Sequence, residues 1–358
     1  MRSYNSSKIF IILILTVSLL ILFTMPTVKN VLNVFPTHFS ETNYPEEIDF
    51  NLERTITINT YYCSPEYFII DMAEPMNVVQ NNRQIQTVYS INYSQDVYKS
   101  TRYGHNWIEW VVDAPSIGEY NISIEYAIST KAAIWEIDSK ISGDVSDISI
   151  EFKDQYLHDE WVIQIDDPSI IDLSYEIVGD ETNTYIILEN IYNWVKDNIE
   201  YSTESNEPQN AVESVNTLRG DCDDQSILFC SLARAAGIPA WLQLGVMYSD
   251  MSDAWGGHAW IQAYVPFKGG GGKVVTIDIV NNEFMEWNPN RFIEYTSDGN
   301  AEHLRDYYYI YNGTKALIWE SYNTISYDES GCISQHLIFE IKIIPDDMLL
   351  TLPRIRVP

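Results

Sequence analysis

Basic side chains are scarce. Lys and Arg number 21 against 51 Asp and Glu, a formal charge of −30 over 358 residues. No Lys/Arg cluster interrupts the acid, so the chain repels a phosphate backbone and a nucleic-acid partner is excluded. Cysteine is scarcer still. Cys63, Cys222, Cys230 and Cys332 are the whole complement, and none forms a C-x-x-C pair. With the histidines scattered as well, no structural zinc site is expected. So few cysteines in so long a chain make no disulfide scaffold, although a Cys63–Cys332 bridge stays open to a domain outside the cell. The acid is densest from Asp144 to Glu181, where Lys153 is the only base. That run reads as a solvated face in preference to a cation site. The acidity would suit calcium, but no D-x-D-x-D-G loop is present, and no metal or cofactor is expected.

What is present is enough apolar surface for real cores. Forty-six per cent of the residues are hydrophobic, which excludes wholesale disorder. The length suggests two domains of ordinary size. Ile9 to Met25 is an uncharged run (IFIILILTVSLLILFTM) preceded by Arg2 and Lys8. At 1.5 Å per residue it would span about 25 Å, enough for a short membrane helix. Positive charge before it and Glu41, Glu46, Glu47 and Asp49 after it place the N-terminus in the cytoplasm and the main body outside the cell. A cleaved signal peptide is the alternative, but Met25-Pro26-Thr27 is not a small-x-small cleavage site. Asn92-Tyr-Ser, Asn121-Ile-Ser and Asn312-Gly-Thr are glycosylation acceptor triplets in the external part.

Residues 1–28 therefore read as cytoplasmic tip and anchor, and the proline-punctuated residues 29–49 as a stalk. From 50 to 150 the chain carries short alternating segments such as RTITINTYY, QTVYSINYS and YNISIEYAI. Period two with β-branched and aromatic residues predicts an antiparallel β-sandwich. The texture changes in 151–358, whose core spans about 185–285. Ile187, Ile191, Trp194, Val195 and Asn198 fall near one helical face. A second helix is predicted over Cys222–Ala236, with Asp221 as N-cap, Gly237 as its left-handed C′ residue and Pro239 just beyond. Strand-like WLQLGVMY, HAWIQAYVPF and KVVTIDIV follow, the last two joined by the glycine run Lys268–Lys273. Residues 286–358 read as C-terminal strands. The fold class is α+β.

Cys222 opens its helix, where unsatisfied N–H groups and the macrodipole favour a thiolate. Asp221, Asp223 and Asp224 oppose this, so a base is needed. His258, in Trp-Gly-Gly-His-Ala-Trp, is the candidate, with its strand starting at or near that residue. Asp278 lies on the next strand. A turn centred on Lys268 would set it opposite His258, on one face, to hold the second imidazole nitrogen.

Five blocks now stand in order. They are Ile191-Tyr-Asn-Trp-Val-Lys-Asp-Asn-Ile-Glu-Tyr201, Thr217-Leu-Arg-Gly-Asp-Cys-Asp-Asp224, Leu232-Ala-Arg-Ala-Ala-Gly-Ile-Pro-Ala240, Gly256-Gly-His-Ala-Trp260 and Thr276-Ile-Asp278. Together they resemble the transglutaminase-like (papain-like) cysteine superfamily, in its microbial membrane-anchored form. The resemblance implies a transglutaminase-like core behind a β-sandwich, with Cys222 as nucleophile, His258 as base and Asp278 as orienting acid. The family's usual Asp-Pro is Asp278-Ile279 here. Tyr201 and Gln209 are candidates for a second oxyanion donor beside the Cys222 main-chain N–H. The implied chemistry is acyl transfer on amide bonds of a protein or peptide substrate, possible partners including the cell envelope. Hydrolysis is favoured over cross-linking, because water is the default acceptor. The alternative is a non-catalytic surface adhesion or envelope module that keeps the fold, and a scaffold presenting glycans is a further one.

Overall fold

The structure is a computed structural model that describes residues 44–332 apart from 62–65, 204–206, 251, 301, 309–310 and 314–315. The expected anchor at Ile9–Met25, most of the stalk and Cys63 lie outside the described residues. Among the described residues no helix is long and apolar enough to cross a membrane.

The chain begins with strands β1 (Glu47–Asn59), β2 (Tyr67–Ala73), β3 (Val78–Gln80), β4 (Arg83–Tyr93), β5 (Tyr98–Arg102), β6 (His105–Asp113) and β7 (Glu119–Lys131). The period-two pattern does what it predicts. Ile48, Phe50, Leu52, Ile56 and Ile58 of β1 turn inward with Ile122, Ile124, Tyr126 and Ile128 of β7. They meet Phe68, Ile70 and Met72 of β2 and Ile108 and Trp110 of β6, so two antiparallel sheets share one core. The alternation of β1 has one exception. Arg54 occupies an inward position, 6% exposed.

After a short β8 (Ala133–Ile134) come helices α1 (Ile150–Tyr156), α2 (Pro168–Val178) and α3 (Thr184–Asn198). Several acids of the 144–181 run have local work there. Asp167 caps α2 through Ser169 N, and Asp159 accepts from Ile165 N at 2.6 Å. On α3 the buried side chains are Thr184, Ile187, Leu188, Ile191, Tyr192 and Val195. The stripe predicted from sequence is thus shifted. Asn198 is exposed at the helix end, where its amide donates to Trp194 O, and Leu188 and Tyr192 take the buried positions.

A two-residue strand β9 (Glu200–Tyr201), helix α4 (Ala211–Thr217) and strand β10 (Arg219–Gly220) lead into α5 (Cys222–Ala235). Helix α5 is central. It packs against α2, α3 and α4 on one side and against strands β11 (Ala240–Ser249) and β12 (Ala254–Pro266) on the other. Every residue from Asp224 to Arg234 is consequently buried. Its polar side chains are satisfied internally: Ser226 Oγ donates to Cys222 O, Ser231 Oγ to Ile227 O, and Arg234 to Ala240 O and to Glu160 at 2.5 Å. Gly237 follows with φ +86, the left-handed residue expected after the helix.

The strands β13 (Gly272–Asp278), β14 (Glu283–Phe284), β15 (Glu286–Trp287) and β16 (Arg291–Thr296) follow. The core sheet runs β14-β13-β12-β11-β16, antiparallel throughout, and β15 pairs β8. The outer edge of β16 is met by the sandwich. Gln86 of β4 accepts from Ile293 N at 2.6 Å and donates to Ile293 O at 2.9 Å.

A short helix α6 (His303–Tyr308) precedes β17 (Tyr311–Gly313) and β18 (Leu317–Ser330). Sequence reading placed these strands with the transglutaminase-like part of the chain. The structure pairs β17 with β2, and β18 with β1 along its whole length, from Asn59↔Leu317 to Glu47↔Ser330. The two sheet orders are therefore β18-β1-β7-β4-β3 and β17-β2-β6-β5. Strand β1 needs a partner on each side, and the local alternation of β18 carries no mark of which sheet it will join.

Candidate active site

The site starts at a glycine. A Cβ on Gly220 would lie 2.4 Å from Asp224 Cβ, so only glycine lets the Asp224 carboxylate fold back over the start of α5. There it accepts from Asp221 N at 3.2 Å, from Gln209 N at 2.6 Å and from Gln209 Nε2 at 2.8 Å. This is the physical content of the Gly-Asp-Cys-Asp-Asp motif. The turn is tight, Asp221 stays extended at φ −88 and ψ −155, and Cys222 becomes the first helical residue. The Cys222 thiol is partly buried and takes a hydrogen bond from the main chain of Ala259.

Burial pushes the Cys222 thiol well above its ordinary range, and the charges of Asp223 and Asp221 push it further, against the Ala259 N–H. Asp223 is itself pushed up to about 8, by burial first and then by its hydrogen bond and charge contact with Asp221. Asp221, Cys222 and Asp223 bring ligand atoms within 4.8 Å of one another, the one such group among the described residues.

His258 stands on β12, which begins at Ala254, four residues earlier than the sequence suggested. The β12–β13 register runs from Ile261↔Ile277 to Pro266↔Gly272. The hairpin is thus centred on Gly269, and Asp278 continues that register to a place opposite Trp260. Sequence reading centred the turn on Lys268 and set Asp278 opposite His258. Because the offset is two residues, the shared face survives and the pair becomes diagonal. His258 Nε2 and Asp278 Oδ2 are 2.7 Å apart, and both side chains are almost fully buried. This bond commits Nε2 and leaves Nδ1 as the nitrogen for a thiol.

Asp278 is heavily supported. Asn281 donates to it twice, from Nδ2 at 2.8 Å and from its main chain at 3.2 Å. Arg291 Nη1 reaches the same oxygen as His258, while Arg291 Nη2 bonds both Glu283 oxygens at 2.8 and 2.7 Å. Burial opposes the Asp278 charge, yet His258, Arg291 and Asn281 together hold the carboxyl well below the usual range. Arg291 is fully buried beside the adjoining rings of Trp260 and Trp287, at 5.6 and 5.7 Å from their centroids. Sequence reading missed Arg291 and Asn281. The available signal was a lone basic residue opening the strand-like run RFIEYT in a chain where bases are few.

Tyr201 sits on β9, cross-strand from Gly220, with its side chain more than half exposed. Its phenol is shifted upward by partial burial and then by Cys222, Asp221 and Asp223. Gln209 is differently engaged. Its side-chain N–H groups go to Asp224 and to Arg219 O, so it braces the helix start. Cys230 is buried in the core and Cys332 is exposed. Asn92 and Asn121 lie exposed on β4 and β7, and Asn312 on β17 pairs with Ile69.

Residues 171–277 match the sequence profile of the transglutaminase-like superfamily, and the chain carries a transglutaminase-like core. No protein of curated function matches the sequence. Among solved structures, a protein of Cytophaga hutchinsonii taken to be a cysteine protease is similar over 84% of this chain and 95% of its own, at 18% identity and a TM-score of 0.54. That likeness is one of fold. The periplasmic domain of TgpA from Pseudomonas aeruginosa bound to ethylmercury matches over 65% of this chain and 91% of its own, at 13% identity and a TM-score of 0.34.

Proposed function

We propose that the protein transfers acyl groups from amide bonds through Cys222, His258 and Asp278. The observation that carries this is the buried His258–Asp278 hydrogen bond, with Ala259, the next residue of that strand, bonded to the Cys222 sulfur. Cys222 gives its proton to His258 Nδ1 as the sulfur attacks the carbonyl carbon. The main-chain N–H of Cys222, among the donors a helix start leaves unpaired, receives the oxyanion, with Tyr201 as a second donor. His258 then passes the proton to the leaving amine, the C–N bond breaks and a thioester remains. Water attacks the thioester as His258 takes its proton, and the C–S bond breaks to give a carboxylic acid and the thiol. We place this site outside the cell, following the charge distribution around Ile9–Met25.

The test is to incubate the protein with peptide amides and acid-quench within the first turnover. Mass spectrometry should find an acyl adduct on Cys222, lost in Cys222→Ser and reduced by on the order of 10²- to 10⁴-fold in rate in His258→Ala. The raised thiol favours one rival, a non-catalytic envelope module. It predicts no adduct with any peptide and alkylation of Cys222 unaffected by loss of His258.

A further inference from the structure

Strand β12 carries two consecutive glycines immediately before His258, and nothing in the fold demands them. A Cβ built on Gly256 or Gly257 meets no atom within 4 Å, and neither residue has a positive φ. Glycine inside a strand weakens it by roughly 0.5–1 kcal/mol, so an unforced pair marks a place where something else approaches the backbone.

The space in front of them is a recess in two adjoining parts. The outer part, about 420 Å³, lies between Asp253–Gly257 and residues 320–324 of β18. The inner part, about 210 Å³, continues from Gly257 to Tyr308. Gly257, Glu320 and Tyr322 line both. The recess therefore ends at Gly257, the residue before His258, on one wall. On another it ends at Tyr308, whose phenol is shifted by burial and then by Asp223 and Cys222. The Tyr308 hydroxyl is buried there, with the Asp223 carboxyl as its polar neighbour.

The charge of the lining is one-sided. Asp253 lines the outer part, and Glu294 and Glu320 face Arg54, the only base among the described lining residues. Arg54 is already consumed: it bonds Glu320 through Nε at 3.1 Å and Nη2 at 2.7 Å, and Glu294 through Nη1 at 2.9 Å. Glu294 is closed off, Glu320 is a quarter exposed and bonded to Arg54 and to the Tyr322 hydroxyl, and exposed Asp253 accepts from Tyr248, so a ligand meets an excess of acid over base with the Tyr322 ring between the two parts. Carboxylates beside aromatic faces, with no spare cation, recognise a positive side chain with an aliphatic stem.

We infer that this recess is a specificity pocket for a Lys or Arg side chain of a peptide lying across Gly256–Gly257, next to the bond that Cys222 attacks. The inference names the substrate class of the proposed acyl transfer and rests on that reading.

The experiment separates binding from chemistry. Binding of pentapeptide amides with central Lys, Arg, norleucine or Glu is measured calorimetrically on the Cys222→Ser protein, and their hydrolysis on the unaltered enzyme. Lys and Arg peptides should bind at least about tenfold more tightly than norleucine, with Glu weakest, and added salt should shrink the preference. Glu320→Gln should reduce it, and so should Asp253→Asn, an exposed residue outside the Arg54 ion pairs that covers the case where Glu320→Gln fails to fold. Gly257→Val should weaken all four peptides while leaving the thermal midpoint nearly unchanged. Equal binding of Lys and norleucine peptides, or a preference unmoved by both carboxylate variants, would overturn the pocket even if all the peptides are hydrolysed. Basic peptides that bind selectively yet are never cleaved would uphold the pocket and sink the acyl-transfer reading.

Discussion

Arg291 and Asp278 form an ion pair with no access to solvent, made at the very carboxylate oxygen that receives His258. Asp278 thus depends on a base from β16, at the opposite edge of the core sheet from β14. Replacing Arg291 by Met would leave the Asp278 carboxylate in a dry site without its cation. We expect a loss of about 3–5 kcal/mol, read from denaturant unfolding. Arg291→Lys should retain part of it but lose the simultaneous grip on both acids.

The same network gives stability a pH dependence with two limbs. Asp278 has a folded-state pKa below its unfolded value of about 3.9, so its contribution is complete above that pH and is lost as the pH falls through it. Glu283 is shifted the other way, up to about 8 by burial against the pull of Arg291, with Asp278 and Glu286 adding. Its contribution is complete below about 4.3 and is lost as the pH rises toward 8. Unfolding free energies between pH 3 and 9 should therefore fall at both ends, and Glu283→Gln should flatten the alkaline limb. An alkaline limb unchanged in that variant would refute the assignment.

The thiol should respond to its acidic neighbours. Asp221, Asp223, Asp278, Tyr201 and Tyr308 all bear on Cys222, and Asp223 is the largest single charge acting on it. Asp223→Asn removes that charge, so the pH at which iodoacetamide alkylation reaches half its maximum should fall, by roughly one unit. A midpoint that rises or stays put would show that Asp223 is neutral over the whole range.

Gly220→Ala tests the start of the helix. The added methyl must displace Asp224, which holds Asp221 N and Gln209 in place. We expect the kcat of amide hydrolysis to fall by at least about tenfold, because displacing the nucleophile by an ångström is enough to do so. Helical circular dichroism should change little.

The parts of the site that were legible in the sequence are local ones. An N-cap, a helix beginning at Cys222, a glycine after it and a two-residue parity between His258 and Asp278 are each written within a few residues. The exact register was not legible, because the glycine run leaves the turn centre free by two positions and only the packed sheet selects Gly269. Nor were Arg54 and Arg291. Both are isolated bases in apolar strand patterns, and each is explained by carboxylates far away in sequence or on another strand: Glu294 and Glu320 for one, Asp278 and Glu283 for the other. The same holds for Arg234, whose partner Glu160 lies in an acidic run that looks like solvated surface.

Strand β18 sets a timetable for synthesis. Its partner β1 leaves the ribosome some 260 residues before it, a wait of about 13 to 50 seconds at ordinary translation speeds. For that interval β1 presents thirteen residues of open sheet edge, with Ile, Phe and Leu on one side, the kind of template on which chains pair with one another. The transglutaminase-like core can pack in the meantime, since α5 and its sheet are complete by Thr296. A chain that stops before Leu317 would therefore contain Cys222, His258 and Asp278 but lack the strand that closes the edge of β1.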